Sequence, residues 1–199
     1  MGRMSLRADL QQIIDEIDAA GRAAETIVAP LTDAQFFFAP ALPSPSGGPV
    51  KRGWGIAQCI DHLAIMNAVY CQPIRAAVDA ARDKGITGGG PIAPSFFGRK
   101  FIESQEPPVK RKTWAPAKAR PVSTGSRNEI MAAYYASHET IRGLARDCAT
   151  IDVNRATFQN PFLPLVRVRV GTGLRILTAH ERRHLWQAEQ VTKAAGFPR

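Results

Sequence analysis

Long hydrophobic runs and cysteines are both scarce in this sequence, and each scarcity excludes a class of protein. The longest apolar runs are far shorter than the roughly 20 residues that cross a bilayer, so we expect no membrane-spanning segment. The N-terminal residues also lack the apolar core of a secretory signal peptide. The three cysteines, an odd number within predicted helices, indicate reduced thiols rather than a disulfide framework. These features predict a cytoplasmic protein without a membrane partner.

Acidic residues are also in short supply, since 17 Asp and Glu face 26 Lys and Arg and leave a net charge of +9. A basic surface can bind the phosphates of nucleic acids. Many basic residues, however, fall between Arg99 and Arg120, where the sequence predicts a loop. No phosphate-binding glycine motif surrounds Gly88–Gly90. Solubility is a sufficient explanation for the charge, and we do not expect nucleic acid as a partner.

Hydrophobic residues make up 45% of the sequence, enough for the core of one domain that spans residues 1–199. Apolar residues recur with helical spacing in four segments. These predicted helices span about residues 6–28, 54–82, 127–148 and 172–195. Their predicted N-terminal caps are Ser5, Gly55, Ser126 and Thr172.

The stretch from Asp83 to Gly125 shows no periodicity and is rich in glycine and proline. It predicts a long irregular connection, which in a compact domain is often a functional lid. With no convincing sheet, the sequence predicts an all-α fold, a four-helix bundle with this connection between its second and third helices.

Two of the four histidines stand four residues apart in the last predicted helix. Residues i and i+4 share a helical face, with their Cβ atoms about 5–6 Å apart. His180 and His184 could therefore converge on one metal ion. Their face also carries Leu177, Ala188 and Val191, which indicates that both rings point into the bundle. The alternative is a pair of hydrogen-bonded core histidines. A third histidine from elsewhere in the chain is needed to favour a metal site over this alternative.

His62 supplies that third ring, in the middle of the inward stripe of the second predicted helix. Several buried imidazoles without partners are unfavourable, and one shared metal ion would satisfy three of them together. A three-histidine set leaves a coordination position open, which is typical of catalytic sites. The fourth histidine, His138, lies beside the seam of the third helix. We predict that it is not a ligand but lies at the core edge, next to the site or in solvent.

The segment from His180 to His184 also satisfies H-E-x-x-H, the zincin protease signature, in which the glutamate is the general base. The continuation of that signature is absent, because Gln187 and Gln190 stand where metzincins have glycine and histidine. Glu181 remains the candidate catalytic residue, as a base or as a support for the ligands. The alternative is an ordinary surface charge beside two arginines.

Several segments together carry a family resemblance. They are Leu31-Thr32-Asp33-Ala34-Gln35, Trp54-Gly55-Ile56, Asp61-His62-Leu63 and the nine residues from His180 to Ala188. In these motifs the chain resembles the DinB/YfiT-like superfamily, a group of bacterial four-helix bundles with a three-histidine metal site. The resemblance covers essentially the whole chain and implies that His62, His180 and His184 are the metal ligands. The usual serine or threonine after the tryptophan is Gly55 here, so we expect a weaker helix cap.

Characterised branches of that superfamily include metal-dependent transferases and isomerases that use bacillithiol, mycothiol or glutathione. The resemblance therefore implies a divalent metal, a low-molecular-weight thiol and a small-molecule substrate. Imidazole suits zinc, nickel, copper and iron, and we take zinc or nickel as the first candidates. The alternatives are a metal-dependent hydrolase in the same pocket and a non-catalytic, stress-associated metal-binding protein. A homodimer is the candidate assembly.

Overall fold

The computed structural model describes residues 6–42, 51–109, 115–122 and 124–199. In this part of the chain the α-helices are α1 (Ala8–Val28), α2 (Asp33–Phe36), α3 (Ile56–Asp83), α4 (Phe96–Gln105), α5 (Arg127–Asp147) and α6 (Val170–Thr192). Two antiparallel pairs of short strands accompany them, β1 (Ala41–Leu42) with β2 (Lys51–Arg52), and β3 (Thr157–Gln159) with β4 (Arg167–Arg169). Single 3₁₀ turns span Ala117–Ala119 and Cys148–Thr150.

The four long helices α1, α3, α5 and α6 form the bundle. Helices α1 and α3 each pack against both α5 and α6, so α1 and α3 stand at opposite corners. The predicted all-α four-helix bundle is confirmed. Among the helices of the described residues, none has both the length and the apolar character that a bilayer crossing requires.

The helix starts agree with the predicted caps at two of the four positions. The side chain of Gln58 accepts a hydrogen bond from the backbone N–H of Gly55 (2.9 Å), and the Ser126 hydroxyl accepts one from the backbone N–H of Glu129 (3.3 Å). The prediction for Thr172 was wrong: strand β4 runs directly into α6, which begins at Val170 after Arg169. Ser5 lies outside the described residues, and α1 begins at Ala8.

The long connection from Asp83 to Gly125 is not irregular throughout, which corrects the sequence prediction. Ser95 caps α4, where its hydroxyl accepts a hydrogen bond from the N–H of Gly98 (3.2 Å). Helix α4 lies on α6. No residue of α4 is buried, and Phe96 and Phe97 point largely into solvent. The helix therefore lacks the buried apolar stripe by which the other helices are recognised.

The buried residues form two separate hydrophobic clusters, one towards each end of the bundle. Ile13, Ile74 and Leu174 belong to one, and Ile60 and Ala188 belong to the other. Between them α3, α5 and α6 contribute buried polar side chains. They include His62, Asn67, His138, Glu181 and His184. A polar layer thus crosses the interior of the bundle, and the candidate site lies in it.

Candidate metal centre

The three predicted ligand residues come together in this polar layer. His62 on α3 and His180 and His184 on α6 each offer a ring nitrogen, and these atoms all lie within 4.8 Å of one another. The rings of His62 and His184 and those of His180 and His184 are both 4.5 Å apart between centroids. His62 and His184 are buried, whereas His180 is partly exposed. The predicted convergence of the three rings is confirmed.

Backbone and amide oxygens fix the outer nitrogens of two of the rings. Nδ1 of His62 lies in hydrogen-bond contact with the carbonyl oxygen of Ala119, in the 3₁₀ turn. A carbonyl oxygen can only accept, so Nδ1 holds the proton and the lone pair of Nε2 is free. Nδ1 of His180 lies 3.3 Å from Oε1 of Gln105 at the end of α4, which favours the same tautomer. Partners of this kind orient histidines that ligate metals.

The two free Nε2 atoms, of His62 and His180, face each other at 3.1 Å. Two lone pairs at this distance repel unless a proton or a cation lies between them. Two nitrogen ligands at 2.0–2.1 Å from a tetrahedral zinc ion would be about 3.3–3.4 Å apart, close to the observed separation. Nδ1 of His184 is buried and has no hydrogen-bond partner among the described residues. The donor set therefore fits a metal ion.

The protein keeps all three imidazoles uncharged at neutral pH. Burial, followed by the neighbouring His62 and Arg183, lowers the pKa of His180 to about 3. Burial, followed by the two other rings, holds the pKa of His184 well below its usual value. Burial also lowers the pKa of His62. Neutral imidazole is the form that binds metals, so no proton has to be removed first.

Trp54 lies against two of the three rings, and Cys59 lies one turn before His62 on α3. The Trp54 ring packs against those of His62 and His184, at centroid distances of 4.7 and 5.8 Å. Cys59 is fully buried, and burial raises the pKa of its thiol far above the usual value. A buried thiol that resists ionisation is an inert core residue. Trp54 lines the site, whereas Cys59 does not join the three ligands.

Glu181, the candidate catalytic residue, is fully buried, so the alternative of a surface charge is wrong. Its Oε1 accepts a hydrogen bond from the side-chain amide of Asn67 on α3 (2.8 Å). Its Oε2 accepts one from the hydroxyl of Tyr134 on α5 (2.7 Å). Burial, together with the charge of Glu181, raises the pKa of Tyr134, which remains a donor. The carboxylate is not part of the cluster of three ring nitrogens, and its catalytic role stays a prediction.

His138 is buried on the inner face of α5, which excludes the exposed position that the sequence left open. Its Nε2 lies 3.3 Å from Oε1 of Glu181, outside the geometry of a hydrogen bond. Its ring packs against that of Tyr134, with the centroids 4.2 Å apart. His138 is not a member of the three-histidine cluster, in agreement with the prediction.

The end of α4 covers the cluster and is attached to α6 beside it. The guanidinium group of Arg182 donates two hydrogen bonds to the carboxylate of Glu106, at 2.7 and 2.9 Å. Arg182 also pairs with Glu16 of α1 (2.9 Å). Nη1 of Arg183 donates to the backbone carbonyl of Ser104 (3.1 Å). The long connection thus lies directly over the candidate metal centre.

Sequence patterns missed three groups around the site. Asn67 carried a signal, because it is a polar residue four positions after Leu63 on the inward face of α3. Gln105 and the carbonyl of Ala119 lie in the stretch without periodicity, and no residue pattern marks a backbone carbonyl. Only the folded structure brings them to the rings of His180 and His62.

Similarity to known proteins assigns the chain to a family. No curated protein and no solved structure matches the chain. The sequence model of the DinB superfamily matches residues 16–188, which include all three clustered histidines. The match covers most of the chain, and the chain therefore belongs to the DinB superfamily.

Proposed function

We propose that this DinB protein binds one divalent metal ion, zinc or nickel, through His62, His180 and His184. With it the protein catalyses transfer of a low-molecular-weight thiol to a small electrophilic substrate. The supporting observation is the pair of Nε2 atoms that face each other at 3.1 Å, each on a ring whose outer nitrogen contacts an oxygen. A hydrophobic core would not place two unprotonated acceptors in contact, whereas a cation between them satisfies both.

The chain's residues prepare this site in three ways. The Ala119 carbonyl and the Gln105 amide oxygen hold the His62 and His180 rings with Nε2 directed inward. Burial keeps the imidazoles neutral, and Trp54 covers the His62 and His184 rings. The partly exposed side of His180 is where a small substrate would enter. A bound metal ion would supply Lewis acidity, which lowers the pKa of a thiol beside it.

The position of Glu181 favours thiol transfer over hydrolysis. Hydrolysis by an activated water usually needs a general base within hydrogen-bond reach. Both carboxylate oxygens of Glu181 are occupied by Asn67 and Tyr134. No carboxylate of the described residues joins the three ring nitrogens as a potential ligand. A thiol needs less assistance, because a cation alone can hold it as the thiolate.

Elemental analysis tests the metal, and a conjugation screen tests the reaction. Protein purified without a metal-affinity tag should contain about one equivalent of zinc or nickel. The screen should then offer bacillithiol, mycothiol and glutathione with a panel of electrophiles, with and without metal. Metal-dependent conjugation supports the transferase. Metal-dependent hydrolysis of ester or amide substrates without thiol consumption would identify the hydrolase instead, and metal binding without turnover would identify the non-catalytic protein.

We also propose that the protein acts in the cytoplasm. All three cysteines, Cys59, Cys71 and Cys148, are buried free thiols, as expected in a reducing compartment. Fractionation of the producing cells, followed by detection of the chain, tests this location.

A further inference from the structure

The side chain of Glu181 is more deeply buried than those of its charged neighbours on α6, Arg182 and Arg183. It is fully buried between α3 and α5, and both of its oxygens accept hydrogen bonds. The basic group that lies against it is the ring of His138, whose Nε2 is 3.3 Å from Oε1. A buried carboxylate costs several kcal/mol of desolvation, and an apolar side chain of similar volume is often equally stable or more stable. Stability alone does not explain a glutamate here.

The hydrogen bonds of Glu181 tie together the two helices that carry the imidazoles. Asn67 lies five residues after His62 on α3, and Glu181 follows His180 directly on α6. The Asn67–Glu181 hydrogen bond therefore sets the spacing of α3 and α6 within two turns of both rings. Tyr134 holds the second oxygen from α5, so the carboxylate is attached to two helices at once. Two attachments fix both the rotation of α6 and its position along its axis.

This rotation decides where the rings point. Successive residues of a helix differ by about 100° around its axis, so the direction of Glu181 determines that of His180. The same is true of His184, which lies one turn further on the same face. A rotation of α6 by a small fraction of a turn would move both rings relative to that of His62. Sites of this kind need their ligands held within about 0.5 Å of the productive geometry.

We propose that Glu181, with Asn67 and Tyr134, is a positioning residue, which orients α6 so that His180 and His184 meet His62 at one metal ion. This inference rests on the proposed function. It assigns the glutamate of the H-E-x-x-H segment a role through its neighbours rather than as a proton acceptor.

Zinc titration of the apoprotein, in competition with a chromophoric chelator, tests the inference. The main variant replaces the whole set by apolar residues, Asn67→Leu with Tyr134→Phe and Glu181→Leu, so that no member of the set is left without its partner. The hydroxyl of Ser137, which accepts a hydrogen bond from Asn67, keeps the one that it donates to the carbonyl of Tyr134. We expect this variant to fold with an apoprotein melting temperature close to that of the wild type. We expect its zinc affinity to fall by about 10- to 100-fold. The visible spectrum of the cobalt-substituted variant should change as well, because the ligand geometry changes.

A matched pair of single variants provides the control. Tyr134→Phe removes one hydroxyl from the set, and Tyr70→Phe removes one from a buried tyrosine that instead contacts Phe158, Phe162 and Asn160. Tyr134→Phe should weaken zinc binding by a smaller factor than the triple change, and Tyr70→Phe should leave it unchanged. This comparison decides the matter if the triple variant does not fold.

The outcomes are distinct. Wild-type zinc affinity and an unchanged cobalt spectrum in the folded triple variant, or in Tyr134→Phe, would overturn the positioning role and leave the metal site intact. A residue that acted only as a base would give this result, since its loss slows turnover without altering metal binding. A wild-type protein that binds no zinc would overturn the proposed function, and this inference with it.

Discussion

At the scale of single residues, the protonation of three rings prepares the pocket for a cation. The oxygens of Ala119 and Gln105 contact the outer nitrogens of His62 and His180, and burial suppresses protonation of the inner ones. The spacing of His180 and His184 predicted that these two rings share a face. The pairing with His62 could be proposed only because its position lay on an inward stripe. The carbonyl of Ala119 could not be predicted, because every residue carries one.

Removing any one of the three rings should abolish stoichiometric metal binding. We expect His62→Ala, His180→Ala and His184→Ala each to retain less than about a tenth of the wild-type zinc after dialysis, since a two-histidine site loses one of its bonds. The fourth histidine provides the control. His138→Gln should still bind one equivalent at saturating zinc, measured by elemental analysis. Full zinc content in any of the three alanine variants would show that the metal lies elsewhere.

The same rings should make the apoprotein sensitive to acid. A histidine whose pKa is lowered by folding binds fewer protons in the folded than in the unfolded state. Its contribution is complete above the usual pKa of 6.5 and is lost as the pH falls towards the folded value, about 3 for His180. Between pH 7.5 and 5.0 His180 alone should cost the apoprotein up to about 2 kcal/mol.

Urea denaturation of apo wild type and His180→Asn at both pH values measures that loss. The wild type should lose more of its free energy of unfolding than the variant does. Equal losses would mean that His180 titrates normally in the folded protein.

At the scale of secondary-structure elements, apolar periodicity predicted the four long helices and missed α4. Helices α1, α3, α5 and α6 bury one face each, which is the feature that a 3.6-residue period reports. Helix α4 buries no residue and is held on α6 by polar contacts of its last turn and of Glu106.

For a related reason the sequence left open a surface position for Glu181, in the middle of α6. Helices α1, α3 and α5 and the end of α4 all contact this part of α6, so polar residues on several sides are buried or paired.

The structure explains why this chain has glycine at position 55, where the family resemblance implies serine or threonine. A Cβ atom at this position would lie 2.0 Å from the backbone oxygen of Phe38. Gly55→Ser should therefore destabilise the protein by about 1–3 kcal/mol, although serine is the better cap in isolation. Gly90→Ser is the control, since a Cβ there would meet nothing within 4 Å. Urea denaturation should separate the two variants, and a stabilised Gly55→Ser would refute the close approach.

The Arg182–Glu106 pair should control how firmly α4 covers the site. Both side chains are partly exposed, and the pair is bidentate. In Glu106→Gln, the amides of residues 96–106 should exchange with deuterium faster than in the wild type, while those of the bundle helices keep their protection. Glu103→Gln removes only a pair with Lys100 inside α4 and should change exchange little. Equal exchange in the two variants would mean that Arg182 does not hold α4.

At the scale of the whole molecule, a polar layer separates two hydrophobic clusters. The composition predicted a sizeable core, but it could not predict that this core is divided, because the division depends on which helices face each other. The bundle also places residues from its long connection against the three histidines, where Gln105 contacts His180 and Ala119 contacts His62.

The homodimer stays a prediction. Light scattering during size-exclusion chromatography should give twice the 21.7 kDa of one chain, and the mass of a monomer would contradict it.

The most direct test of the metal centre is a crystal structure of the zinc-loaded protein, with anomalous diffraction recorded on both sides of the zinc absorption edge. We predict one strong anomalous peak between α3 and α6, about 2.0–2.1 Å from a ring nitrogen of each of His62, His180 and His184. A peak bonded to other residues, or no peak among these three rings at saturating zinc, would contradict the assignment of this DinB protein as a metalloprotein.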